Sequence, residues 1–119
     1  MDARKCCAQD PEAKQAWEEE LERQLDSIPS EERIDGIYDI LHALSHPIRI
    51  KIAFLLLKRD QCVCELVQLL GKAPNLISHH LAIMRRNNIV KTYMKSKDKY
   101  YKLNENISPV LAGLEKIIR

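Results

Sequence analysis

Residues 62–86 read CVCELVQLLGKAPNLISHHLAIMRR, and the punctuation of this stretch decides the fold. Val63, Leu66, Val67 and Leu70 make one apolar face of a short helix over residues 62–70, which Gly71 ends. Lys72-Ala73-Pro74 is a turn, with Pro74 suited to the first position of a following helix. From Asn75 to about Asn87, Ile77, His80, Leu81 and Met84 share one face. Asn75, Ser78, His79, Ala82 and Arg86 lie on the other, and Asn87-Asn88 stops the helix. Two helices joined by so short a turn, the second with a polar outer face, form a helix-turn-helix.

The period then changes. Val90, Thr92 and Met94 alternate with Lys91, Tyr93 and Lys95; Ser96-Lys97-Asp98-Lys99 is polar and turn-like; Tyr100, Tyr101 and Leu103 resume a β-favouring run. This predicts a two-stranded hairpin. Upstream, Ile34, Ile37, Tyr38, Leu41 and Leu44 recur with helical period behind a Ser30 cap. Ser45-His46-Pro47 opens a helix apolar on nearly every side (residues 48–58), expected to be central and buried. Ser108-Pro109 opens a last helix striped by Val110, Leu111, Leu114, Ile117 and Ile118. At the other end, Asp10-Pro11 starts an acidic helix to about residue 26 with a narrow stripe of Ala13, Trp17, Leu21 and Leu25. The expected fold is mostly α with a small β-hairpin, a winged helix-turn-helix. Residues 1–29 are expected to form an N-terminal arm and acidic helix, and residues 30–119 a winged-helix domain.

The 119 residues carry a net charge of only +2, but the charge is divided. Residues 1–45 hold five basic and twelve acidic side chains, −7; residues 46–119 hold fourteen and five, +9. No apolar run approaches the roughly 18–20 residues of a membrane span. No export signal is legible, so the cytoplasm is expected, with the four cysteines reduced. No phosphate-binding glycine loop, nucleophile elbow or metalloprotease motif is present, which counts against an enzyme.

Within residues 72–102, Lys72, Arg85, Arg86, Lys91, Lys95, Lys97, Lys99 and Lys102 face Asp98 alone, +7 in 31 residues. Lysine and arginine contacts to phosphates supply much of the affinity for DNA. The candidates are Asn75, Ser78 and His79 for base edges or phosphates, and Lys72, Arg85, Arg86, Lys95, Lys97 and Lys99 for the backbone. Tyr93 is expected to join the hairpin lysines there. A single lysine on a hairpin is ordinarily a solvated edge; the whole set on a helix-turn-helix frame favours double-stranded DNA. His80, on the apolar face, reads as a packed, hydrogen-bonded structural histidine, and His42 and His46 as isolated, structural or surface side chains.

The segments Leu41-His42-Ala43-Leu44-Ser45-His46-Pro47-Ile48-Arg49, Cys62-Val63-Cys64-Glu65-Leu66 and Ile77-Ser78-His79-His80-Leu81 resemble the ArsR/SmtB family of metal-responsive repressors. The likeness runs from about Ile34 to Leu114. It implies a homodimeric winged-helix repressor whose first and last helices, 34–44 and 108–118 here, form the two-fold interface. Such a dimer reads a palindromic operator with half-sites about one helical turn, ~34 Å, apart.

Cys62 and Cys64 open the short helix. On a regular helix two residues mean about 200° of rotation, so the pair converges only if Cys62 lies outside the helical conformation. Two sulfurs make an incomplete shell. The family's arsenic sensors often take a third from one turn beyond the second cysteine, where this chain has Val67. Other members take it from an N-terminal arm, where Cys6 and Cys7 stand. The resemblance therefore implies a site of Cys62, Cys64 and at least one of Cys6 and Cys7, for a soft or borderline ion: Cd(II), Pb(II), Zn(II), Bi(III) or As(III). The family's other site, on the last helix, is expected to be absent, since residues 107–119 hold Glu115 and no histidine. Taken alone, Cys6 and Cys7 are equally well ordinary cytosolic thiols. A redox regulator using the same thiols as a disulfide switch is the alternative.

Overall fold

The computed structural model describes residues 10–118, in two compact units, one running to Asp35 and the other beginning at Gly36. The first contains α1 (Pro11–Asp26), which has no buried residue; Trp17 is half-buried and Leu21 and Leu25 are exposed. Asp10 holds the N-cap position in extended conformation, but its carboxylate makes no capping bond. A turn at Ser27–Ser30 leads to α2 (Glu31–Leu44), where Ser30 Oγ accepts from Arg33 N at 3.3 Å and caps the helix as the sequence leads one to expect. The division between the units falls within α2.

The second unit continues with α3 (Pro47–Lys58), β1 (Gln61–Cys62), α4 (Val63–Leu70), α5 (Pro74–Arg86), β2 (Val90–Lys95), β3 (Asp98–Leu103) and α6 (Ser108–Ile117). Its core gathers Ile52, Ala53 and Leu56 of α3, Leu66 of α4, Ile77, Leu81 and Met84 of α5, Ile89 and Val90, and Leu111 of α6. These are the periodic positions of each helix, so one contiguous core draws a buried face from each of these helices and from the start of β2. The fold is mostly helical with a small antiparallel sheet, as expected, and α4, α5 and the β2–β3 hairpin form a winged helix-turn-helix. No single helix among the described residues is long and apolar enough to cross a membrane.

Four details differ from the sequence reading. The sheet has three strands, not two: Gln61 and Cys62 pair with Tyr101 and Tyr100, giving the order β1-β3-β2. Two residues carry no alternation to read, and their partner lies some 40 positions away. The hairpin turn is only Ser96-Lys97, because Lys95 pairs with Asp98 and Met94 with Lys99. Ser96 occupies the left-handed region (φ 56°) where a two-residue turn usually places glycine. In α3 only Ile52, Ala53 and Leu56 are fully buried, while Ile50 and Leu57 are exposed. Ile50 and Phe54 instead line a groove of about 610 Å³ with Leu41, Leu44, Leu111 and Leu114. His46 is not isolated. Its Nδ1 accepts from Ile48 N at 3.1 Å, capping α3, and its ring lies 4.5 Å from that of His80. His42 likewise stacks on Tyr38, ring centres 5.7 Å apart.

Candidate nucleic-acid interface

α5 is anchored by its inner face. Ile77, Leu81 and Met84 are wholly buried and His80 is 4% exposed, against the bracing helix α4, so the opposite face must look outward. Asn75, Ser78, His79, Ala82, Arg85 and Arg86 are all exposed on that side, and Lys72 is exposed in the preceding turn. Gly71 makes the turn possible: its φ of +64° caps α4 in the left-handed conformation, and its N–H donates to Val67 O at 2.9 Å. The Asn75 carboxamide oxygen accepts from Leu76 N at 3.0 Å. Its NH2 group is thus the end left to meet an acceptor such as a phosphate or a base edge.

The hairpin carries the rest of the charge. Lys91, Lys95, Lys97, Lys99 and Lys102 are all exposed. Among the described residues the salt bridges are Arg23–Glu20 and Arg59–Glu65, so none of the basic side chains of residues 72–102 is neutralised by an ion pair. Lys99 Nζ lies 5.5 Å from the Tyr101 ring centre, a cation–π contact that orients it without removing its charge. Tyr93 departs from expectation. Its hydroxyl donates to Asp60 Oδ2 at 2.7 Å and its ring stacks on Tyr100 at 5.7 Å, so it is tied to the protein and not offered to a phosphate.

At the start of α4, Cys62 is the N-cap with extended backbone (φ −90°, ψ 167°), and Cys64 lies one residue inside the helix, exposed. The departure of Cys62 from helical geometry is the condition the pair needed to converge. Glu65 Oε1 accepts from Cys62 N at 3.1 Å, and Oε2 pairs with Arg59. These two contacts, the backbone N–H first, hold the Glu65 carboxyl below its usual range. Its oxygens are therefore engaged. Among the described residues no group of three or more His, Cys, Asp or Glu side chains is gathered for a metal ion. Two accessible thiols at a helix start fit the thiolate half of a shell, and Cys6 and Cys7 lie outside the described residues.

His80 does not have the hydrogen bonds expected of it: neither ring nitrogen has a partner among the described residues. Burial, then the neighbouring His46, Arg49 and His79, hold its imidazole below the ordinary value. Sequence reasoning missed Asp60, His46 and strand β1. Each matters through a contact with a residue more than 30 positions away, and local pattern carries no signal for that.

Residues 46–92, from the cap of α3 through the bracing and outward-facing helices to β2, match the model of the arsR family of bacterial regulatory proteins. The chain carries an arsR-family helix-turn-helix domain. Curated proteins similar to this chain include the biofilm growth-associated repressor of Xylella fastidiosa, 32% identical over 75 residues, 63% of this chain and 66% of that protein. A cadmium resistance transcriptional regulatory protein CadC homolog of Staphylococcus aureus is 33% identical over 67 residues, 56% of this chain and 55% of that one. The chain thus spans between 55% and 66% of the length of these relatives. Among solved structures, the transcriptional repressor BigR from Xylella fastidiosa superposes with a TM-score of 0.67 at 29% identity, covering 75% of this chain and 92% of that one. These relatives of the arsR-family domain are named as repressors or regulators, in accord with the expectation that this chain is not an enzyme.

Proposed function

We propose that this chain is a transcriptional repressor that binds double-stranded DNA as a homodimer. The single observation that carries DNA binding is the joint surface of α5 and the hairpin. It is polar on the helix, basic on the flanks, and free of ion pairs among the described residues. The N-terminal half of α5 enters the major groove, with Asn75, Ser78 and His79 toward the bases. Lys72, Arg85, Arg86, Lys95, Lys97 and Lys99 contact phosphates along the flanks. Second copies pair through the exposed residues Ile37, Tyr38 and Leu41 of α2 and Val110, Leu114 and Ile117 of α6, closing the 610 Å³ groove. The two-fold presents two α5 helices to a palindrome with half-sites about 34 Å apart. The free thiols of Cys62 and Cys64 suit a reducing cytoplasm.

The effector in this reading is a soft or borderline metal or metalloid ion, Cd(II), Pb(II), Zn(II), Bi(III) or As(III), that lowers operator affinity. Cys62, Cys64 and at least one of Cys6 and Cys7 would hold it. When bound, the ion supplies thiolate bonds that draw these sulfurs into one shell. Cys62 caps the helix that braces α5, so a change at Cys62 reaches the DNA-facing helix through α4. The cadmium resistance function in the name of one relative supports a metal effector. Unequal affinity of the ion for the two states is required, a coupling of about 1–3 kcal/mol.

The test is equilibrium binding to operator DNA under reducing conditions, with and without Cd(II), Pb(II), Zn(II) and As(III). Weakening by at least one ion is expected. A second reading rests on the accessibility of Cys64 and the partial exposure of Cys62 as free thiols: oxidation to a disulfide with the arm would then be the signal. Release by oxidant with no response to any ion decides for that reading.

A further inference from the structure

We propose that Tyr93 and Asp60 are positioning residues that tie the hairpin to the Cys62 turn, and that this tie carries a change at the thiols to the DNA-facing lysines. The proposal rests on the reading of Cys62 and Cys64 as the switch and names a second route out of it, beside that through α4. Three contacts make the tie. Cys62 pairs with Tyr100 across β1 and β3, and Tyr100 pairs with Tyr93 across β3 and β2. The Tyr93 ring stacks on Tyr100 with planes 17° apart, and its hydroxyl reaches back over the middle strand to Asp60, two residues before Cys62. The path is closed: Asp60, Tyr93, Tyr100 and Cys62 bind the two edge strands, β1 and β2, across the middle strand β3.

Cys62 cannot move alone in this arrangement. It is at once the last residue of β1, a strand of only two residues, and the N-cap of α4. A change in its backbone shifts the edge of β3 and the carboxylate of Asp60 together. The strands on which Lys95, Lys97 and Lys99 turn are the ones so held. The hydrogen bond from Tyr93 to Asp60 raises the Tyr93 phenol above its ordinary value, which agrees with a tyrosine that keeps its proton for this bond.

The experiment uses the full chain with Tyr93→Phe and, separately, Asp60→Asn. Phenylalanine keeps the stack on Tyr100 and removes only the bond. Operator affinity is measured across a salt series, without metal and with saturating Cd(II), and sulfur-to-cadmium charge-transfer absorption reports metal binding independently. Expected for both variants are wild-type cadmium absorption and a metal-free affinity reduced about two- to tenfold, the scale of one net hydrogen bond. A shallower salt dependence and a cadmium-induced fold-change smaller than that of wild type by a similar factor are also expected. A role in stability alone would shift the unfolding midpoint but not the salt dependence. Variants that bind cadmium and respond with the full wild-type fold-change overturn the proposal. If wild-type protein itself shows no cadmium absorption and no response, the thiol reading fails. The tie is then decided by the metal-free arm, where unchanged affinity and salt slope overturn it.

Discussion

His80 places a titratable ring where the sequence placed an apolar stripe. The helical period located it on the buried face, because that face is set by local spacing. The period could not say what would meet the ring, since His46 comes from another helix 34 positions earlier. Buried and without hydrogen-bond partners among the described residues, the imidazole is easier to protonate in the unfolded chain than in the folded one. The unfolded state therefore binds more protons below the ordinary value of 6.5, and stability falls as pH drops through that value toward the depressed folded one. Thermal unfolding between pH 7.5 and about pH 5 is expected to show this loss. His80→Leu should flatten the profile, and an unchanged slope would place the loss elsewhere. Glu65 acts in a separate window. Its folded carboxyl is depressed, so its contribution is present above the ordinary 4.5 and lost only as pH falls below it.

Among the elements, α5 and the hairpin were legible because each repeats its own period, while β1 was not. A strand of two residues has no period, and it exists here only because β3 offers an edge. The open side of α3 was hidden for the opposite reason: a helix apolar all round does not say which face meets the core. The turn between α4 and α5 was legible through Gly71. Its positive φ makes Gly71→Ala costly by about 1 kcal/mol or a little more in chemical denaturation. That cost is purely of the backbone, since no heavy atom lies within 4 Å of where a Cβ would sit. Gly71→Asn should cost less, because asparagine visits the left-handed region more readily. For the elements proposed to face DNA, Arg86→Ala or Lys97→Ala should weaken binding about equally for all operator variants and reduce the salt slope by about 1. A loss confined to particular base pairs would instead make either residue a base reader.

At the scale of the whole molecule, the divided charge falls into place, with the acidic excess before residue 46 and the basic excess concentrated on α5 and the hairpin. Cys62→Ser or Cys64→Ser should abolish release by metal and leave metal-free DNA binding intact; loss of that binding would mark the cysteine as structural. Which of Cys6 and Cys7 would join them lay beyond the sequence, because an arm without hydrophobic period records no position. Leu114→Lys should raise the dimer dissociation constant at least tenfold in sedimentation equilibrium and lower operator affinity with it, whereas an unchanged constant removes α6 from the interface. The apolar faces of α2 and α6 have one further effect. With the pairing proposed for them, the species that reads an operator is a second-order product of the chain. At copy numbers below the dimer constant, occupancy grows with the square of the amount synthesised. A cell halving its synthesis would then lose about three-quarters of its bound operators before any ion or oxidant arrived, so expression level would itself be an input to the switch.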